Sequence, residues 1–164
     1  MSYGVKSTGK RNSLFRRATI KCGKLLASSF PLNSVRRAGL RLCGFTVGED
    51  VYIGPGLMVA SLISEQACNL IIGDRVAIGP RVTLILSSDA NWSKLNEIIP
   101  PQRGVIILEH DCWLGAGVII MPDIVVGEFA VAGAGSVVDK NIDPCTICAG
   151  VPARVIRRIE KPVS

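Results

Sequence analysis

The sequence predicts an all-β solenoid, a parallel β-helix carrying N-terminal helices and a short C-terminal helix, and three observations point to it. From Leu108 to Val138 an aliphatic residue or alanine recurs at every sixth position: Leu108, Leu114, Ile120, Val126, Ala132 and Val138. A helix repeats its apolar face every 3.6 residues and a half-buried strand every 2, so sixfold spacing describes short flat rungs joined by corners. Three rungs close one turn of a parallel β-helix. The second observation concerns the residue after the apolar one in LGAGVI, IMPDIV, VGEFAV and AGAGSV. It is usually small, and Gly115, Gly127 and Gly133 suit a bend because they lack a Cβ. The third is composition: aromatics are 5% of the chain while 48% is hydrophobic, mostly small and branched, which suits a narrow core.

Residues 1–46 read as a basic helical segment. An amphipathic helix is expected over 13–29, with Phe15, Ala18, Cys22 and Leu25 on one side and Arg17, Lys21 and Lys24 on another. Pro31 ends it. A second short helix is expected from Val35 to Leu42, capped by Asn33 or Ser34, with Gly44 beyond its end. Residues 1–48 hold 10 Lys or Arg and no acid, against 9 basic and 13 acidic residues in the remainder. Such a segment has two readings: the helices cover the open end of the solenoid, which needs capping, or they give peripheral contact with an anionic membrane. Nucleic acid is not expected as a partner, because basic residues without interleaved aromatics make a poor stacking platform.

The solenoid is expected over 47–144. Earlier units in the same register are VGEDVY, IGPGLM, IGDRVA and IGPRVT, and the fifth residue of later units (Val118, Ile124, Ala130, Ser136) is the second to face inward. Val59 and Ile72 are 13 residues apart rather than 12, which predicts one extra residue bulging a corner. Between Leu84 and Leu108 the pattern lapses, which predicts an excursion loop over 85–107. Residues 145–164 complete the chain as a C-terminal segment and helix. A thin solenoid exposes its flanks, so self-association is expected.

No apolar run reaches the roughly 18–20 residues of a membrane span, and LLASSF is too short for a secretory signal. The expected compartment is therefore the cytoplasm, with membrane association if the basic helices touch lipid. The cysteines read as structural: Cys112 at an inward fifth position, Cys22 and Cys43 on apolar helix faces, and Cys145 and Cys148 as a lone CxxC without a second pair or a nearby His. No metal site is expected. Zinc between subunits would need several His residues, and the chain has one.

CWLGAGVIIMPDIVVGEFAVAGAGSVVDKNIDP, the closing AGVPARVIRRI and the earlier RLCGFTVGEDVYIG resemble the hexapeptide-repeat acyltransferases, within them the galactoside, maltose and polysaccharide O-acetyltransferase group. The resemblance covers about residues 40–160. It implies a left-handed parallel β-helix, an exception to the usual right-handed crossover, and a homotrimer with active sites between subunits. It also implies transfer of an acetyl group from acetyl-coenzyme A to a saccharide hydroxyl. Positions matching the donor groove are Trp113, Gly115, Ala116, Gly133, Ala134, Lys140, Arg154 and Arg157. Small residues let the pantetheine arm lie against backbone, and cations meet phosphates with charge-assisted hydrogen bonds. Without the resemblance, the glycines are corner residues and the arginines an exposed face.

Attack of a hydroxyl on a thioester needs a base within about 2.6–3.2 Å of its proton. The resemblance implies a His on the excursion, but ILSSDANWSKLNEIIPPQRGV has none, and gap-free alignment back from Trp113 puts Asp89 in its place. A carboxylate of ordinary pKa, about 3.9, is a weak base, so burial or a like charge has to raise it; as a turn former, Asp89 has an equally simple role. His110 is the second candidate, at a corner three residues before Trp113. The third reading has no protein base, and with it a non-catalytic trimer acting as a binding or assembly subunit. Ser88, Asn91 and Trp92 are candidate acceptor contacts, a ring to stack on a sugar beside polar groups for its hydroxyls; Trp92 could equally pin the loop to a neighbouring subunit.

Overall fold

In the computed structural model, which describes residues 13–61 and 69–161, the sixfold period becomes short strands that visit three parallel sheets in rotation. The first tier is β1 (Thr46–Val47), β2 (Tyr52–Ile53) and β3 (Met58–Ala60), and the second is β4 (Asn69–Ile72), β5 (Ala77–Ile78) and β6 (Thr83–Ile85). A hairpin of β7 (Ser87–Ser88) and β8 (Gln102–Arg103) then leaves the stack. The third tier is β9 (Val105–Leu108), β10 (Trp113–Leu114) and β11 (Ile119–Ile120), and the fourth is β12 (Ile124–Val126), β13 (Val131–Ala132) and β14 (Val137–Val138). The first strands of the tiers form one sheet in the order β1-β4-β9-β12, the third strands another, and the second strands a sheet that continues into β15 (Thr146–Ala149) and β16 (Arg154–Arg158).

Strand register brings inward residues of successive tiers into columns. Ile53, Ile78, Leu114, Ala132 and Cys148 stack along the second sheet, and Leu84, Ile120 and Val138 along the third. All are buried, as are the fifth-position residues Val118, Ile124, Ala130 and Ser136. Ser136 is the polar member, and it is satisfied: its Oγ donates to Gly133 O (2.6 Å) and accepts from Gly150 N–H (3.1 Å).

The bend does not fall where the glycines suggested. Left-handed backbone occurs two residues later in each unit, at Gly117 (φ 67°) and Gly135 (71°), but also at Asp111 (60°), Asp123 (63°) and Phe129 (57°). Gly115 serves a different need, since a Cβ there would lie 2.6 Å from Ala134 N on the next tier. Close approach of backbones, not turning, excludes a side chain.

The interval from Val59 to Ile72 also differs. Val47 pairs with Ile72 and Ile53 with Ile78, so Val59 and Ile72 are consecutive inward positions, one step plus seven residues rather than two steps plus one. The expected corner bulge falls in 62–68, outside the described residues.

Helix α1 (Ser13–Ser29) matches the expected span, and α2 (Asn33–Leu42) starts two residues early. Asn33 is not the cap; Leu32 holds that position without a side-chain bond. Instead Asn33 clamps α2 to the first tier, donating from Nδ2 to Val51 O and accepting at Oδ1 from Ile53 N–H, both at 2.9 Å. Leu40 joins the core cluster with Val47, Val51 and Ile53, and Arg41 donates to Val47 O and Gly48 O, so α2 lies on the first tier. The expected apolar face of α1 is reversed: Ile20, Gly23 and Ala27 are buried, while Phe15, Ala18, Cys22 and Leu25 are exposed. Small residues decide the contact. A Cβ on Gly23 would meet Gly39 O at 2.6 Å and one on Gly39 would meet Gly23 O at 2.5 Å, so the helices cross glycine on glycine, at a distance large side chains forbid. Cys22 is thus exposed rather than a buried hydrophobe, and Cys43 is half-buried with Sγ 3.5 Å from Ile20 O.

The expected C-terminal helix is absent from the described residues. Residues 154–158 instead form β16, which turns back antiparallel on β15, pairing Arg154 with Ala149 and Arg158 with Thr146. A strand edge left open at Ile147 and Ala149 offers backbone partners that a helix would leave unmet, and Val155 and Ile156 favour extended backbone. No helix among the described residues is long and apolar enough to cross a membrane.

Candidate active site

The excursion leaves at the corner between the third and first sheets. Its neck is a two-rung ladder, Ser87 opposite Arg103 and Ser88 opposite Gln102, closed by Gly104 N–H donating to Leu86 O at 3.0 Å. Beyond it Asp89 Oδ1 accepts Asn91 N–H at 2.7 Å, an Asx-turn that lets Asn91 adopt φ 50°. A 3₁₀ turn over Lys94–Glu97 is capped by Ser93, and Asn96 ties it back, accepting Ala90 N–H at Oδ1 (3.1 Å) and donating from Nδ2 to Asn91 O (2.6 Å). Ser88, Asp89, Asn91 and Trp92 are therefore held together in one short loop. Trp92 is fully exposed.

A cavity of about 510 Å³ lies at the base of this loop, lined by Pro101, Gln102 and Arg103 from the neck, Met121, Pro122 and Asp123 from the corner of the third tier, and Asp139 from the fourth. Of these residues only Pro101 carried a sequence signal, as one of two adjacent prolines that stiffen the return of the loop; Asn96 carried none. The tier register brings the two corners under the loop, and a period read along the chain does not reveal which corners become neighbours.

His110 lies elsewhere in the chain, at the corner between the first and second sheets. Its Nδ1 accepts Asp74 N–H at 2.9 Å, with Asp74 Oδ2 at 3.4 Å, and the side chain is half exposed. With Nδ1 an acceptor, the neutral ring carries its proton on Nε2. Within one chain His110 and the excursion occupy different corners.

The candidate donor residues fall into two groups. Trp113 stands half exposed on the outer face of the second sheet, and Gly115 and Ala116 lead from it into the left-handed corner at Gly117. Gly133 and Ala134 repeat that approach one tier on, tied by Gly115 N–H to Ala132 O and Gly135 N–H to Ala116 O, each 2.8 Å. The corner is a strip of backbone with hardly any side chain over it. Lys140 and Arg154 share a separate cleft of about 150 Å³ on the last tier, with Ile142, Cys148, Ala153 and Val155. Arg154 Nη1 is engaged with Asp139 Oδ1 (3.1 Å) and Ala153 O (2.7 Å), leaving the remainder of its guanidinium to meet an anion. Arg157 is exposed on β16, opposite Ile147.

Cys148 borders that cleft, but burial raises its thiol above the ordinary value, which keeps it protonated and a poor nucleophile. Its CxxC partner Cys145 sits at a corner with φ 54°. Among the described residues no group of three or more His, Cys, Asp or Glu is placed to hold a metal ion.

Comparison with known proteins adds three likenesses. The chain is 34% identical over 116 residues to a galactoside O-acetyltransferase of Escherichia coli K12, an alignment covering 70% of this chain and 57% of that protein. A maltose O-acetyltransferase structure from Clostridium difficile superposes with TM-score 0.64 at 28% identity, over 91% of this chain and 89% of that one. A galactoside acetyltransferase solved in complex with coenzyme A gives TM-score 0.64 at 28% identity, over 90% and 82%. No family model matches. The chain spans about half the length of the curated relatives it matches first.

Proposed function

Because this chain belongs to the hexapeptide-repeat acyltransferase family, we propose that it transfers an acetyl group from acetyl-coenzyme A to a saccharide hydroxyl, on the cytoplasmic side. The observation that carries this reading is the likeness over nine-tenths of the chain to a galactoside acetyltransferase that holds coenzyme A. We further infer that the tiers wind left-handed and that three copies assemble with the excursion of one beside the corner strip of the next. Such pairing would bring together two groups of residues that lie apart in the single chain.

In this scheme the pantetheine arm lies along Gly115, Ala116, Gly133 and Ala134 beside Trp113, using backbone N–H and C=O groups. Lys140, Arg154 and Arg157 meet the phosphates. The acceptor sugar stacks on Trp92 with Ser88 and Asn91 at its hydroxyls, and the cavity at the neck gives it room. The acceptor oxygen attacks the thioester carbonyl, Asp89 receives its proton, the carbon–sulfur bond breaks, and the proton passes to the departing thiolate. The bond from Asn91 N–H to Asp89 Oδ1 orients the carboxylate at the loop's base, beside Ser88 and Asn91.

Incubation with radiolabelled acetyl-coenzyme A and a panel of glycans tests the reading. Label transferred to a glycan above the enzyme-free control is the expected result. Donor binding without transfer to any glycan would favour instead a binding or assembly subunit.

A further inference from the structure

Helix α1 exposes the wrong half of itself for a helix whose only task is to roof the first tier. Its contact face is Ile20, Gly23 and Ala27, packed on α2. On the opposite side Phe15, Ala18, Cys22 and Leu25 follow one another at helical spacing, and the two largest are 78% and 66% exposed. Single exposed apolar residues need no explanation, but four in one stripe on a 17-residue helix make a face. Arg17 and Lys21 are exposed alongside that stripe, and no acidic residue occurs in the first 48 positions to offset them.

We propose that α1 is a docking helix for an anionic lipid surface, lying in the membrane plane with Phe15 and Leu25 between acyl chains and Arg17 and Lys21 among headgroups. The pairing of an apolar stripe with flanking cations is what such a surface recognises: neither part is strong alone, and the two add. A contact between copies through the same stripe would set the cations of one helix beside those of another with no carboxylate on either. Placement fits as well. Lys24 Nζ donates to Ser61 Oγ at 2.8 Å, and the neighbouring Ala60 pairs with Ile85, the last rung before the excursion departs. The docking helix and the loop therefore share one edge of the stack. The proposal does not depend on acyl transfer.

Sedimentation of the full chain with vesicles tests it. Binding is expected to phosphatidylcholine vesicles carrying about one third phosphatidylglycerol and to vanish on pure phosphatidylcholine or in about 0.5 M salt. Arg17→Glu with Lys21→Glu, and separately Phe15→Ser with Leu25→Ser, should each weaken partitioning at least about tenfold. All four side chains are exposed, so the melting temperature and coenzyme A binding should stay as in the parent. A polarity-sensitive dye on Cys22 should shift to the blue on the anionic vesicles alone. No binding by the parent chain, binding that ignores both variants, or an unshifted dye overturns the proposal. So does a change of molecular mass by light scattering in Phe15→Ser/Leu25→Ser, which would make the stripe a contact between copies.

Discussion

Arg75 and Asp111 occupy equivalent left-handed corners of successive tiers, at φ 56° and 60°, and meet in a two-pronged ion pair, Nε to Oδ1 and Nη2 to Oδ2, each 2.7 Å. The hydrogen bonds from Arg75 hold the Asp111 carboxyl below its ordinary value of 3.8. A carboxyl whose pKa is lowered by folding adds stability above the unfolded value and loses it as pH falls through the folded one. Unfolding midpoints measured from about pH 6 down to about pH 3 should therefore fall with acid, and less steeply in Asp111→Asn. The pair is solvent-exposed, so the difference will be small and reduced by salt.

Two glycines of the repeat should fail differently. A Cβ at Gly79 would lie 2.8 Å from Ala116 N, whereas Gly117, at φ 67°, has open space around it. Gly79→Ala should cost about 1–3 kcal/mol by forcing tiers apart. Gly117→Ala should cost about 1–2 kcal/mol from backbone strain alone. Asn tolerates left-handed backbone, so Gly117→Asn should recover much of the loss while Gly79→Asn should be worse than Gly79→Ala; thermal melts of the four variants separate the two causes.

Thiol chemistry should report the same architecture. Cys112 is an inward corner residue whose thiol burial pushes up to about 12, while Cys22 is exposed on α1. Alkylation of the native protein followed by mass spectrometry should mark Cys22 early and Cys112 only once denaturant unfolds the stack.

Removing the cation of Arg154 by Arg154→Ala should weaken acetyl-coenzyme A binding about tenfold or more, the loss expected for a charge-assisted phosphate contact. Calorimetric titration gives the affinity directly. An unchanged value would take Arg154 out of the phosphate site and leave it as the partner of Asp139.

Asp89→Asn keeps the Oδ1 that accepts Asn91 N–H, so the loop turn survives while the base is lost. Turnover should drop at least about a hundredfold with donor affinity intact. Undiminished turnover would rule out Asp89 and make His110→Gln the next variant to assay.

The tiers were legible because an inward residue every sixth position leaves a strong period, and the excursion was legible as the place where that period lapses. The extent of α1 could be read too, but not its orientation: large apolar residues mark a face by hydrophobicity, and the packed face here is chosen by Gly23, Ala27 and Gly39, which add almost none. The C-terminal strand was not legible, because RVIRRI alternates poorly and its pairing with Thr146–Ala149 is a tertiary fact. At the site, the loop residues and corner glycines carried local signals. Apart from Pro101, the residues lining the cavity between the neck and Met121–Asp123 carried none, since that cavity depends on which tiers the excursion separates.

The reversal of β16 settles how the second sheet stops. Parallel strands stacked in register are a template to which further strands can be added, and an unguarded last tier invites copies to polymerise end to end. The second sheet closes instead on a strand of opposite direction that carries Arg154, Arg157 and Arg158, while the first tier lies under α2. On the second sheet a neighbouring copy finds neither a parallel edge nor an uncharged one at that end. Fibre growth through the second sheet is thereby blocked at that end.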